Sequence, residues 1–260
     1  MSSFFTLLRA AASAHRSQLC VGLDPDPEVI PGGAAGALKH CLQVVQETQD
    51  LVCCYKPNSA FWEQYGPEGM AALAELRTRI DGSLPLVYDA KRGDFDHTSA
   101  AYARAAFDVL GMDAITLNPY LGADSLKPFT ERGERGCYVI CRTSNPGAAD
   151  LQHRDVEGQP LYRRVADLAQ ELNQAGNLGL VIGATAPSQI AEVRASSDLP
   201  FLIPGVGAQG GDLDASVRAA WNGEADSCLI SASRGVIYAD SPRRAARELR
   251  DRINHVLGRQ

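Results

Sequence analysis

Leu84-Pro85-Leu86-Val87-Tyr88-Asp89-Ala90-Lys91-Arg92-Gly93-Asp94 passes from an unbroken apolar run into closely spaced charge. The apolar half does not alternate with polar residues. A strand reads this way when both faces of its sheet are covered, as in parallel α/β sheets. The charged half begins where such a strand ends. Gly93 then breaks the pattern, and a segment of helical character follows over 97–110. The unit is strand, polar end, helix.

The same unit recurs along the chain. Apolar runs lie at 19–23, 51–55, 84–88, 114–117, 137–141, 178–182, 201–203 and 227–230, which makes eight. Helical segments follow most of them, among them 69–80, 161–174 and 242–257. Eight alternating units predict a (β/α)8 TIM barrel, read as one α/β domain over 1–260. A doubly wound open sheet has the same periodicity and is the alternative. Two longer connections, 24–36 and 143–160, would lie at the C-terminal mouth of a barrel, where lids are found.

The chain of 260 residues is 45% hydrophobic and 22% charged, enough to bury a large core without a disulfide or metal staple. Its formal net charge of −6 argues against a nucleic-acid partner, which needs a basic face. No apolar stretch is long enough for a membrane span. The seven cysteines, Cys20, Cys41, Cys53, Cys54, Cys137, Cys141 and Cys228, are odd in number and mostly sit in apolar runs. They read as buried free thiols of a cytoplasmic protein. No CxxC or HExxH spacing points to zinc. Phe4-Phe5-Thr6-Leu7-Leu8 lacks a preceding cation and is interrupted by Arg9, so 3–17 reads as an extra amphipathic helix rather than a signal peptide.

Catalytic residues of such barrels sit at the C-terminal ends of the strands. Those positions hold Asp24, Lys56, Asp89 to Asp94, Asn118, Arg142 to Asn145, Pro204 to Gly211, and Ser231 to Gly235. Asp89 and Lys91 are two apart, so an extended strand would point both at one face. Lys56 would stand beside them and Asp94 in the turn beyond, giving a Lys–Asp–Lys–Asp array. Carboxylates and ammonium groups so placed hold each other charged. The plainer reading is a solvated charge cluster at a strand end. The glycines of 205–211 and the run Ser233-Arg234-Gly235 suit a phosphate, with backbone N–H groups approaching its oxygens and Arg234 offering a bidentate contact. Tight turns need glycine too. The five histidines fall mostly in helices or loops and read as surface residues, and Trp62 and Trp221 as packing.

Asp89-Ala90-Lys91-Arg92-Gly93-Asp94 with Thr98 resembles the DxKxxDxxxT signature of the orotidine 5′-phosphate decarboxylase family. Lys56-Pro57-Asn58-Ser59-Ala60-Phe61, Arg142-Thr143-Ser144-Asn145-Pro146-Gly147 and Pro204-Gly205-Val206-Gly207-Ala208-Gln209-Gly210-Gly211 resemble its longer bacterial subgroup. The four motifs occur in order from Asp24 to Arg234. Phe95 departs from the pattern, since the family more often has a smaller aliphatic residue there.

The resemblance implies decarboxylation of a small nucleotide, orotidine 5′-monophosphate, to UMP. It implies no metal, no organic cofactor, and a cytoplasmic homodimer with shared sites. It makes Lys91 the group that stabilises and protonates C6, with Asp89 and Asp94 positioning it. Lys56 and Asp24 would hold ribose hydroxyls. Ser144 would hydrogen-bond the pyrimidine and Pro204 pack near it. Gln209, Ser233 and Arg234 would grip the phosphate, and Asp94 and Thr98 would reach the partner's site. A magnesium-dependent sugar-phosphate lyase of the same fold, and a non-catalytic phosphate-ligand barrel, are the competing readings.

Overall fold

Leu19–Gly22 (β1), Cys54–Lys56 (β2), Val87–Arg92 (β3), Ala114–Leu117 (β4), Gly136–Arg142 (β5), Leu178–Ile182 (β6), Phe201–Pro204 (β7) and Cys228–Ala232 (β8) form one sheet in the order β2-β1-β8-β7-β6-β5-β4-β3. All neighbours pair in parallel. The computed structural model describes residues 3–206 and 212–259. The two ends of the sheet meet. Tyr55 donates its backbone N–H to Pro85 at 3.1 Å, and Asp89 donates to Pro57 at 3.0 Å. Single bridges join Tyr55 to Leu86 and Asn58 to Asp89. The sheet is therefore a nearly closed barrel, not the open alternative.

Proline explains why this seam is the sparsest. Pro57 and Pro85 have no N–H, so each joins the seam through its carbonyl alone. It also explains a shifted boundary. β3 begins at Val87 rather than at 84 and runs on through the charged residues to Arg92. β2 begins at Cys54 because Leu51 closes the preceding turn onto Thr48. The connection 143–160 contains a short helix, Ala148–Leu151, and a two-stranded hairpin, Asp155–Val156 with Gln159–Pro160. The helix after β3 runs over Asp96–Arg104 and continues as a π-helical turn, Ala105–Val109.

The N-terminal helix, Phe4–His15, covers the base of the barrel. Its Ser3 cap accepts the Thr6 N–H. Phe4 donates its N–H to Glu134, just before β5, and Arg9 pairs with Asp226, just before β8. Phe4 and Phe5 meet the Tyr138 ring edge-on at 6.0 and 5.9 Å. The seven cysteines are all free and buried. Among the described residues no helix is long and apolar enough to cross a membrane.

Tyr138 fits because Gly179 faces it. A Cβ at Gly179 would lie 2.6 Å from the ring and 2.6 Å from the Pro200 carbonyl oxygen. The carbonyl belongs to backbone and cannot rotate away. Gly179→Ala is therefore expected to cost about 1–3 kcal/mol, with a lowered thermal midpoint as the readout. An unchanged midpoint would show that the floor is looser than this packing requires.

Candidate active site

The site is built around one carboxylate. Asp89 lies on β3 at the proline seam, its side chain 12% exposed. Its Oδ2 accepts from Lys56 Nζ at 2.9 Å and from Asn58 Nδ2 at 3.0 Å. Its Oδ1 accepts from Lys91 Nζ at 2.7 Å and from Thr116 Oγ1 at 3.0 Å. Four donors from β2, the residues just after it, β3 and β4 thus converge on two oxygens.

Burial by itself would raise the Asp89 carboxyl, but Lys56 and then Lys91 outweigh it and hold the group well below the usual carboxylate range. Burial would lower the Lys56 ammonium, but Asp89 and then Asp24 outweigh it and hold the amine above its ordinary value. Asp89 and Lys56 are therefore both charged at neutral pH. Lys56 is sealed, 6% exposed at its side chain, whereas Lys91 is 50% exposed and faces the mouth.

Lys91 reaches Asp89 by a different route from simple strand alternation. Its φ is +48°, a left-handed conformation that costs a non-glycine residue about 1–2 kcal/mol. The register with β4 also jumps. Tyr88 faces Ile115 and Arg92 faces Leu117, so Asp89, Ala90 and Lys91 together face Thr116. This is a bulge at the mouth of a barrel, where bulges re-aim side chains.

Asp24 is buried after β1 and accepts the Asn58 N–H at 2.9 Å. Tyr238 donates its hydroxyl to the Asp24 carbonyl at 2.8 Å and accepts the Asp26 N–H at 2.9 Å, tying this loop to the segment that follows β8. Ser233 stands close by. A Cβ at Gly22 would lie 2.7 Å from Ser233 Cβ and 2.8 Å from Asp24 Oδ2. Ser233 Oγ is buried with no hydrogen-bond partner among the described residues. Arg234 opens the short helix Arg234–Ile237, is exposed, and joins no ion pair among the described residues. Ser144 packs over the end of β6, where a Cβ on Gly183 would lie 2.8 Å from its own. Pro204 ends β7, half-buried. Gln209 lies outside the described residues.

The expected fourth member of the array stands apart. Beyond Gly93 the chain turns, and the Asp94 carboxylate accepts the Phe95 N–H at 2.7 Å. It forms no ion pair among the described residues. Thr98 follows in the first turn of the next helix, half-buried. Asn118, a strand-end candidate, caps a short 3-10 turn by accepting the Tyr120 N–H. Two partners of Asp89 escaped the sequence reading. Asn58 lay within the quoted Lys56-Pro57-Asn58 motif, and Thr116 is the one hydroxyl residue in the apolar run 114–117. Among the described residues, no group of three or more His, Cys, Asp and Glu side chains is placed to hold a metal ion.

A profile of the orotidine 5′-phosphate decarboxylase / HUMPS family matches residues 17–249, and the chain belongs to that family. It is 49% identical over 269 residues to the orotidine 5′-phosphate decarboxylase of Roseiflexus castenholzii, covering 98% of each chain. The solved structure of Leishmania donovani OMP decarboxylase is 44% identical, with a TM-score of 0.91 and 98% of each chain covered. Leishmania donovani UMP synthase is 45% identical with a TM-score of 0.94. There the match covers 98% of this chain but 57% of the synthase.

Asp89→Asn should separate the charge of the site from its shape. It leaves the sealed Lys56 ammonium without its nearest counter-charge, at a cost of about 3–5 kcal/mol near pH 7. In the native protein Lys56 is raised, so its contribution is present below the unfolded lysine value of about 10.4 and is lost as pH rises above it. In the variant, burial lowers the folded amine. The unfolded state then binds more protons, and stability climbs between about pH 7 and 10. Denaturation midpoints across that range give the slope. A flat or falling profile would show that Lys56 keeps its proton without Asp89.

Proposed function

We propose that the chain, acting as one barrel domain, converts orotidine 5′-monophosphate to UMP and CO2, the last step of de novo UMP synthesis. The observation that carries this is the single carboxylate shared by a sealed and a half-exposed lysine at the mouth of a barrel of this family.

In this reading Ser233, Arg234 and Gln209 grip the phosphate, Lys56 and Asp24 hold ribose hydroxyls, Ser144 bonds the pyrimidine, and Pro204 packs against it. The substrate carboxylate at C6 is brought beside Asp89. Like charges repel, and the repulsion disappears as CO2 leaves, so it acts on the ground state more than on the transition state. The C6–carboxylate bond breaks with its electron pair left on C6. The Lys91 ammonium stabilises that pair and gives it a proton. Half-exposed, Lys91 then recovers a proton from solvent. No metal or organic cofactor takes part.

The direct test follows the ultraviolet absorbance of orotidine 5′-monophosphate with purified protein in excess EDTA. Turnover is expected. Activity only after added Mg2+ would favour the sugar-phosphate lyase type of chemistry, and binding without turnover a phosphate-ligand barrel. Arg234→Ala is expected to lower kcat/KM at least roughly tenfold, the value of a charge-assisted contact, while orotidine lacking the phosphate is little affected. Equal losses on both would remove Arg234 from phosphate binding.

The protein acts as a cytoplasmic homodimer. Its buried, unpaired thiols suit a reducing compartment. Phe95, Tyr102, Val109, Tyr120 and Leu121 are exposed after β3 and β4, Phe95 by 71% and Tyr120 by 77%. Of the small residues on the helix after β3, Ala106 packs into its own barrel, whereas Ala101, Ala105 and Val109 face outward. A partner seated there would receive Asp94 and Thr98 in its own site, completing the array. Lys91→Ala and Asp94→Ala dimers should then each be nearly inactive. Mixed by random exchange, half the dimers pair the two variants and carry one intact site, restoring about a quarter of wild-type activity. Exchange without recovery would place Asp94 in its own subunit.

A further inference from the structure

We propose that Thr116 is a positioning residue that sets where Lys91 stands. The inference rests on the decarboxylase reading above. Thr116 is 1% exposed on β4, opposite the bulge of β3. Its Oγ1 accepts the Lys91 backbone N–H at 3.0 Å and donates to Asp89 Oδ1 at 3.0 Å. The same Asp89 oxygen accepts the Lys91 ammonium at 2.7 Å. Lys91 is therefore held at both ends, its main chain and its ammonium meeting through one hydroxyl and one carboxylate oxygen.

The bulge explains why a hydroxyl is needed there. In a regular parallel ladder alternate N–H groups of β3 would go to carbonyls of β4, the others, like that of Asp89, to the opposite neighbour. With three residues facing one, that alternation is broken. The Lys91 N–H goes to the Thr116 side chain, at a residue whose φ of +48° is itself unfavourable. The hydroxyl donates its own hydrogen bond to the carboxylate, so N–H, O–H and carboxylate polarise one another in sequence. Without the hydroxyl, nothing in this chain of bonds ties the strained backbone of Lys91 to Asp89. The lysine then samples positions away from C6. Proton delivery suffers, because it depends on a reacting distance, while the phosphate residues lie elsewhere and Lys56 keeps its bond to the other Asp89 oxygen.

The experiment compares Thr116→Val, which keeps the shape and loses the hydroxyl, with Thr116→Ser, which keeps the hydroxyl. Turnover of orotidine 5′-monophosphate, affinity for UMP by calorimetry and the thermal midpoint are measured on each. Thr116→Val is expected to lose kcat by at least roughly tenfold, with KM and UMP affinity within about threefold of wild type, and Thr116→Ser to return kcat to within about threefold. Thr116→Ala removes the same hydroxyl without adding bulk and replaces the valine variant should that one fail to fold. A hydroxyl-free variant that keeps kcat within about twofold overturns the inference. So do equal losses in the hydroxyl-free and serine variants, or UMP affinity falling in step with kcat, since either makes Thr116 a packing residue only. An inactive wild-type protein overturns the decarboxylase reading and this inference with it, whereas an active wild type with an equally active Thr116→Val overturns this inference alone.

Discussion

The saturation of the Asp89 carboxylate is the constraint on which the mouth of this barrel depends. A buried carboxylate is costly in isolation and tolerable when paired and fully hydrogen-bonded. Asp89 meets both conditions, with two ammonium groups and two neutral donors on its two oxygens. Each donor sits on or just beyond a different strand position, so the carboxylate also fixes the relative height of β2, β3 and β4 at their upper ends. The reciprocal holds as well. Lys56 keeps its proton in a sealed place because Asp89 and Asp24 stand beside it.

Function and stability divide between the two ends of the barrel. The base is apolar and filled, with Phe4, Phe5 and Tyr138 packed edge to face and the N-terminal helix laid across it. The mouth is polar and irregular. It holds the proline seam, the bulge of β3, a lysine in a left-handed conformation and a buried serine hydroxyl without a partner. Local departures of this kind gather where a structure is shaped for a ligand, and the regular base is what holds them in place.

Three members of the charged array meet within one chain, and the fourth does not. With Asp24 beside Lys56, the two lysines of the cluster face two carboxylates, Asp24 and Asp89. Beyond Gly93 the half-buried Asp94 spends its carboxylate on the N–H of the exposed Phe95 instead.

Periodic signals were legible in the sequence. Eight apolar runs separated by helical segments indicated the parallel strands, and the polar residues at their ends indicated Lys56, Asp89 and Lys91 as neighbours, with Asp94 expected among them. These features repeat or sit at regular offsets, so residue order alone carries them. The count of eight pointed to a closed barrel, but periodicity alone did not exclude the open sheet, because an open and a closed arrangement bury the same runs. The bulge that re-aims Lys91 was not legible, since it depends on how β3 registers against β4 and not on β3 itself. Asn58 and Thr116 were missed for the same reason. A short polar side chain in a strand or turn has a role only once tertiary structure brings a buried carboxylate within hydrogen-bond reach, and that approach is made across strands distant in the chain.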